Sequence, residues 1–197
     1  MSAPAPTLYG AYCQALRNHS LRMIAGGYAR LNSAEFATEE EPTITGELVA
    51  QTRAFLESGK APTWAATYSI HDDPPLNVEG HKGKRRPRVD IEFERVGLGK
   101  RPRLRFEAKR LSSPTGHTVS GYLGKDGLGC FLTGKYPLTH GEAGMLGYVQ
   151  SEDESTWAGK IGTALETNRT KYAVTAPAFA EASASARPRH TYASNHH

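Results

Sequence analysis

The sequence predicts a mixed α/β fold in which helices flank a central mixed β-sheet. Apolar residues recur at helical spacing in residues 7–31 and 43–58. Two runs of alternating polar and apolar residues, 90–94 and 103–109, lie on either side of a Gly97-Leu98-Gly99-Lys100 turn. Such runs around a glycine turn are typical of a β-hairpin. The combination predicts one α/β domain.

Shorter signals predict the remaining elements. Residues 64–70 are rich in aromatic and β-branched side chains and predict a strand. Residues 117–132 carry apolar side chains at helix-like spacing, and 143–150 are typical of a buried strand. Ser151 and Glu154 form a capping-box pattern, which predicts the start of a further helix.

The chain of 197 residues is predicted to be one domain with a short tail. We expect a single domain over residues 1–175, with its core at about 43–165. Residues 176–189 are rich in Ala, Ser and Pro, which indicates a loop or linker. Residues 190–197 are expected to form a short terminal strand or tail.

Composition argues against several classes of protein. Mean hydropathy is −0.53, and no apolar run approaches the roughly 18 residues of a membrane-spanning helix. The first residues lack the pattern of a secretory signal. Cys13 and Cys130 cannot form a disulfide framework or a cysteine-based zinc site, and no P-loop motif is present. We therefore expect a cytoplasmic protein that does not act at a membrane.

Half of the basic residues lie in one short stretch. Residues 81–110 hold 12 of the 24 Lys and Arg but only four of the 20 Asp and Glu. A local basic patch on an otherwise acidic chain is typical of proteins that bind a polyanion. The alternative is a solvated basic loop without a partner.

The predicted hairpin places two carboxylates next to each other. Residues two apart in a strand face the same side, so centring the turn on Leu98 and Gly99 sets the register. The expected pairs are Glu94–Arg103, Glu92–Arg105 and Asp90–Glu107. A register slipped by two residues gives Asp90–Lys109 and Glu92–Glu107 instead. In either register the acidic cluster has Lys109 beside it, and a divalent cation would relieve its repulsion.

Asp90, followed after the turn by Phe106-Glu107-Ala108-Lys109, resembles the motif of the PD-(D/E)XK nuclease superfamily. The predicted order over residues 43–150, helix, three strands, helix and strand, is also similar to that family's core. The resemblance implies a restriction-endonuclease-like fold. The sequence departs from the family where a proline usually precedes the aspartate, because Val89 stands there and Pro87 lies two residues further back.

The resemblance also implies a metal-dependent nuclease that hydrolyses phosphodiester bonds. Asp90, Glu107 and the carbonyl of Ala108 would hold Mg²⁺ or Mn²⁺, and Lys109 would orient or deprotonate the attacking water. Glu47, on a helix that either Thr43 or Thr45 can cap, would bind the metal directly, through water, or with a second ion. Glu40 and Glu41 are alternatives to Glu47.

The basic stretch would then bind the phosphate backbone. The predicted contacts are Lys82, Lys84, Arg85, Arg86, Arg88, Lys100, Arg101, Arg103 and Arg105. We expect DNA as the substrate, with RNA as an alternative, and cleavage of both strands would suit a homodimer. Small proteins of this type are associated with restriction and phage-defence systems, in which a partner protein can supply targeting. Two other hypotheses stay open, a non-catalytic nucleic-acid-binding subunit of the same fold and a structural protein whose hairpin docks an acidic partner.

Overall fold

A computed structural model describes residues 8–96, 101–175, 179–182 and 190–197. It contains a mixed four-stranded sheet, as the sequence predicts, with strand order β1-β2-β3-β4. The strands are β1 (Tyr68–Asp72), β2 (Ile91–Arg95), β3 (Arg103–Leu111) and β4 (Gly144–Val149). The pairs β1–β2 and β2–β3 are antiparallel, and β4 runs parallel to β3.

Helices pack on the sheet and surround its core. They are α1 (Leu8–Tyr28), α2 (Glu41–Glu57), α3 (Val119–Tyr122), α4 (Gly129–Leu132) and α5 (Glu154–Thr167), with short 3₁₀ helices at Ser33–Phe36, Thr63–Thr67 and Gly83–Arg85. On one face of the sheet, Phe93 and Phe106 pack with Leu48 of α2. Leu111 points to the opposite face and packs with Trp157 of α5. Period-two alternation along β3 thus lets one strand serve two apolar clusters.

Two helices begin at residues other than those the sequence indicates. Helix α2 starts at Glu41 with Pro42 in its first turn, a position where proline needs no amide hydrogen. Thr45, one of its two expected caps, is buried and shares a hydrogen bond with Tyr148. In α5 the cap is Asp153, which accepts the amide hydrogen of Thr156. The predicted capping box therefore does not form.

Two further predictions hold only for part of their residues. Residues 63–67 form a 3₁₀ turn, so the strand expected over 64–70 begins only at Tyr68. The helix expected over 117–132 is divided into α3 and α4. The backbone between them folds so closely that a Cβ at Gly127 would lie 2.1 Å from the carbonyl oxygen of Tyr122. Only glycine fits that approach.

The C-terminal residues form a small second sheet. Strands β5 (Ala180–Glu181) and β6 (Tyr192–Ala193) pair antiparallel, and His196 bridges to Val174. The predicted terminal strand is therefore present, and part of the expected linker contributes a strand. The linker's residues 176–178 and 183–189 lie outside the described residues, as does the hairpin turn at 97–100. No helix within the described ranges combines the length and apolar character needed to cross a membrane.

Close packing between α1 and α2 gives a test of the fold. A Cβ on Gly27 would lie 2.1 Å from Thr52 Oγ1 and 2.9 Å from its Cα. Gly27→Ala should therefore force the helices apart and destabilise the protein by about 1–3 kcal/mol, measured by urea unfolding. Gly46→Ala is the matched control, because a Cβ there meets nothing within 4 Å, and it should be neutral or stabilising. Equal effects of the two variants would contradict this packing.

Candidate functional site

The candidate site forms where β2 separates from β3. Their register sets Glu92 opposite Arg105 and Glu94 opposite Arg103, as the first predicted register requires, and it ends at Ile91. Just before β2, Asp90 Oδ2 accepts the backbone amide hydrogen of Ala108 at 2.6 Å. A side chain thus binds β3 beyond the last paired residue, and this contact holds the Asp90 carboxylate beside Glu107.

Glu107 is a buried carboxylate with an unpartnered oxygen. The residue is 5% exposed, and its Oε1 accepts a hydrogen bond from Lys109 Nζ at 2.9 Å. Its Oε2 is buried without a hydrogen-bond partner. Burial and the nearby Asp90 carboxylate raise the pKa of Glu107 to about 7, and burial also raises the pKa of Asp90. The two acids therefore form a site that favours either a proton or a cation.

Lys109 joins the acids to the start of α2. Its Nζ donates to Glu41 Oε1 at 2.9 Å, to Glu107 Oε1 at 2.9 Å and to the Ala108 carbonyl oxygen at 2.6 Å. Burial disfavours the ammonium, but the bonds to Glu41 and Glu107 outweigh burial and raise the pKa of Lys109. Lys109 is therefore a charged group held by three oxygens.

The helix carboxylate at the cluster is Glu41 rather than Glu47. Glu41 lies in the first turn of α2, where the positive end of the helix dipole favours a carboxylate. Glu47 lies six residues further along, about 240° around the helix, and accepts a hydrogen bond from Gln51 at 2.8 Å. Among the described residues, no hydrogen bond or ion pair joins Glu47 to Asp90, Glu107 or Lys109. The structure thus brings Glu41, one of the two alternatives to Glu47, to the cluster, and within the described residues no such contact brings Glu47 there.

The acidic groups of the cluster are all carboxylates, so any metal ligands that they supply would be oxygen atoms. Within the described residues, no group of three or more His, Cys, Asp or Glu side chains is arranged to hold a metal ion. The Lys109 ammonium lies between the Glu41 and Glu107 carboxylates, so these two carboxylates face a cation supplied by the chain itself. Asp90, Glu107 and the Ala108 carbonyl are nevertheless the ligand types that Mg²⁺ and Mn²⁺ prefer.

The other charged side chains of the hairpin form ion pairs across it, and they differ in exposure. The Arg105 side chain is 7% exposed, and its Nε donates to Glu92 at 2.8 Å. Its guanidinium also donates to the Pro137 carbonyl oxygen. Arg105 therefore does not fit its predicted role as a phosphate contact. Arg103 is 40% exposed and bonded to Glu94 at 2.7 Å, so it is only partly accessible.

Most of the remaining predicted phosphate contacts lie in the segment 73–89 between β1 and β2, which we call the basic arm. It extends the β1–β2 hairpin through hydrogen bonds from Asp73 N to Asp90 O and from Leu76 N to Pro87 O. Leu76 and Val89 of the arm pack in a buried apolar cluster. The arm therefore leads directly into Asp90.

The basic arm carries five of the predicted phosphate contacts. Arg88 pairs with Asp73 at 2.6 Å, and Arg86 donates to Asn77 at 2.9 Å. The side chains of Lys82, Lys84 and Arg85 are exposed and bond to no other residue in the described part of the chain. Outside the arm, Arg101 is exposed but pairs with Glu94 at 3.2 Å, and Lys100 lies outside the described residues. The three cations at the arm's tip are thus the most available to a polyanion.

Two tyrosines near the cluster were not predicted from the sequence. The Tyr148 hydroxyl shares a hydrogen bond with Thr45 at 2.9 Å. Burial, with smaller effects of Asp90 and Glu41, raises the pKa of Tyr148. Burial and the Glu107 carboxylate likewise raise the pKa of Tyr136. No motif marks these two residues, because only the packing of distant segments brings them to the site.

Comparison of the chain with known protein families, curated protein sequences and solved structures finds no match to any of them.

The electrostatics of Glu107 give a pH-dependent stability. Its pKa in the folded protein, about 7, exceeds the ordinary value of about 4.3. Its stabilising contribution is therefore complete below about pH 4 and is lost as the pH rises through 7. Without metal, Glu107→Gln should exceed wild type in stability by about 1–2 kcal/mol at pH 8 and by much less at pH 5, measured by thermal unfolding. The same stability difference between the variant and wild type at both pH values would contradict a Glu107 carboxylate whose ionised form is disfavoured in the folded protein.

Proposed function

We propose that this protein is a metal-dependent nuclease that hydrolyses phosphodiester bonds of DNA. The observation that carries the proposal is the convergence of Asp90, Glu107 and Lys109 at the beginning of β2. The contact of Asp90 with the Ala108 amide links the aspartate to the Glu-x-Lys segment. These are the residues that the resemblance to the PD-(D/E)XK superfamily singles out, and the hairpin that brings them together is expected from the alternation of polar and apolar residues alone.

The architecture supports a restriction-endonuclease-like fold as part of the proposal. Helix α2, three antiparallel strands, short helices and a parallel β4 follow one another in the order that the resemblance implies. Asp90 lies directly before the second strand of that order, and Glu107 and Lys109 lie on the third. Fold alone does not specify function, so the proposal rests on the residues of the site.

The chemistry of the cluster supports the choice of a divalent cation, because its carboxylate and carbonyl oxygens are the ligand types that such a cation prefers. Glu107 Oε2 is buried without a partner, which is a costly arrangement for a carboxylate oxygen unless a cation or proton reaches it. Asp90, Glu107 and the Ala108 carbonyl would hold Mg²⁺ or Mn²⁺, and Glu41 takes the place proposed for Glu47. Such a cation lowers the pKa of a bound water and stabilises negative charge on a phosphate.

The side chains of the chain itself divide the remaining tasks. Lys109 keeps a positive charge beside the Ala108 carbonyl, where it can orient a water or stabilise charge on a phosphate. Glu41 fixes the Lys109 ammonium from the helix side. The two buried cysteines are free, which suits the reducing cytoplasm that we propose for this enzyme.

A cleavage assay tests the proposal. With Mg²⁺ or Mn²⁺, the protein should nick or degrade plasmid DNA, and EDTA should abolish the reaction. Lys109→Met and Asp90→Asn should each lower the rate about 10²–10⁴-fold, because each removes a group at the reacting centre. Glu47→Gln is the matched control, since it alters a carboxylate of the same helix outside the cluster, and it should retain the activity.

Two results would overturn the catalytic proposal. Equal loss in Glu47→Gln and Lys109→Met would mean that the cluster is not the reacting centre. DNA binding without any metal-dependent cleavage would favour the alternative function, a non-catalytic nucleic-acid-binding subunit. The exposed cations of the basic arm support that alternative equally well, so binding alone does not distinguish the two functions.

The basic arm gives a separate prediction for DNA binding. Replacing Lys82, Lys84 and Arg85 together by Ala should weaken binding regardless of DNA sequence. The slope of log K against log salt should become shallower by about 2–3, because each cation displaces counterions from phosphates. Fluorescence anisotropy over a salt series measures both effects.

The control for the arm removes the same charge elsewhere. Arg30, Lys60 and Lys125 are exposed residues outside the basic arm, and their joint replacement by Ala should leave the salt slope nearly unchanged. Equal changes in the two triple variants would indicate a response to net charge and would contradict a specific role for the arm.

A further inference from the structure

Glu41 owes its position to the segment that precedes α2, which we define as residues 36–40 and call the entry segment. Most of this segment has no regular secondary structure. It runs from the end of the 3₁₀ helix at Ser33–Phe36 to the first residue of α2. The rotation of the first turn of α2, and with it the place of the Glu41 carboxylate, depends on what holds this segment.

Two side chains from the ends of β3 and β4 hold the entry segment. Gln150, the residue after β4, donates from Nε2 to the Phe36 carbonyl oxygen at 2.9 Å and to the Glu39 carbonyl oxygen at 2.8 Å. Arg110 donates from Nη1 to the same Glu39 carbonyl at 3.3 Å. Its Nη2 also pairs with the Glu40 carboxylate at 2.6 Å.

Arg110 also connects the segment to Glu41 itself. Its backbone amide donates to Glu41 Oε2 at 3.3 Å, while Glu41 Oε1 accepts from Lys109 at 2.9 Å. Each oxygen of one carboxylate thus receives a hydrogen from a neighbouring residue of β3. The guanidinium that fixes the segment and the amide that fixes the carboxylate belong to the same residue.

We propose that Gln150 and Arg110 are positioning residues that set Glu41, and through it the Lys109 ammonium, in the candidate site. This inference rests on the proposed function for its catalytic consequence. Gln150 places both of its hydrogens on the chain just before α2. Arg110 adds a planar fork that fixes direction as well as distance. Within the described residues, neither side chain has a hydrogen bond or ion pair with Asp90 or Glu107. We therefore infer that both act through Glu41.

The remainder of α2 has its own anchors. Ile44, Leu48 and Val49 are buried, and Leu48 and Val49 belong to the main apolar cluster. Removing the hydrogens of Gln150 should therefore leave α2 docked on the sheet and release only its first turn. This separation makes a positioning role distinguishable from a general role in stability.

The first experiment measures the position of Glu41 without any enzymatic assay. In Gln150→Met, the Arg110 amide should exchange with solvent about tenfold faster or more, measured by NMR hydrogen exchange, because its acceptor on Glu41 moves. The amide of Phe93 in the core should keep its exchange rate. Unchanged exchange at Arg110 would overturn the proposal whether or not the protein cleaves DNA.

The second experiment is a double-mutant cycle on metal-dependent cleavage. Gln150→Met should lower kcat about 10–100-fold with little change in KM, as expected when a supporting contact of a site is lost. In a Glu41→Gln background the same substitution should change kcat less than about twofold. Additive losses in the double variant would contradict action through Glu41.

Arg110→Lys provides a second, charge-preserving variant. Lysine keeps the positive charge beside Glu40 but lacks the planar fork of arginine. Arg110→Lys should therefore show the same faster exchange of the residue-110 amide as Gln150→Met, and a smaller loss of kcat than Gln150→Met. If the protein proves not to cleave DNA while the exchange rates respond as expected, the positioning role stands and the nuclease proposal fails. If cleavage occurs and the exchange rates do not respond, the positioning role fails alone.

Discussion

The structure depends on keeping two carboxylates, Asp90 and Glu107, next to each other in a largely buried place. Like charges there destabilise the fold unless other groups offset them. The Ala108 amide and the Lys109 ammonium do so in part, yet one Glu107 oxygen keeps no partner. The separation of β2 from β3 at this point makes the arrangement possible, because the backbone that would otherwise pair there gives way to the Asp90 side chain.

The basic stretch of the sequence serves two physical purposes. Along β2 and β3, the charges of Glu92, Glu94 and Arg105 are buried and paired, and this internal network supports the hairpin from which the site is built. A buried pair contributes little net stability but is destabilising when one partner is lost. On the basic arm, by contrast, Lys82 and Lys84 face solvent. The basic residues that cluster in the sequence therefore fall into two groups in the structure, those neutralised by buried carboxylates and those available to a partner.

The hairpin was predictable because strand geometry has a strict period of two, so alternation around a glycine turn determines which residues of 90–94 and 103–109 share a face. Alternation did not decide between the two registers considered, because a shift by two residues leaves every side chain on the same face, and the structure has the first of them. The identity of the helix carboxylate was not predictable. To choose between Glu41 and Glu47, one must know which face of α2 packs on the sheet and at which residue the helix begins. The apolar residues of α2 do not specify where its first turn begins. The burial of Arg105 could not be predicted from the sequence either, because Pro137, whose carbonyl oxygen accepts its hydrogen bond, lies 32 residues away.

Three consecutive acidic residues, Glu39, Glu40 and the first residue of α2, Glu41, have distinct roles because each packs against different partners. The Glu39 backbone carbonyl is held by Gln150 and Arg110, the Glu40 carboxylate pairs with Arg110, and the Glu41 carboxylate reaches Lys109. The hairpin itself therefore places Asp90 and Glu107, whereas Glu41 is placed by polar contacts that span three separate parts of the chain. Polar contacts of this kind depend on direction as well as distance. Small changes at the end of β4 are consequently transmitted to the candidate site while the apolar core stays in place.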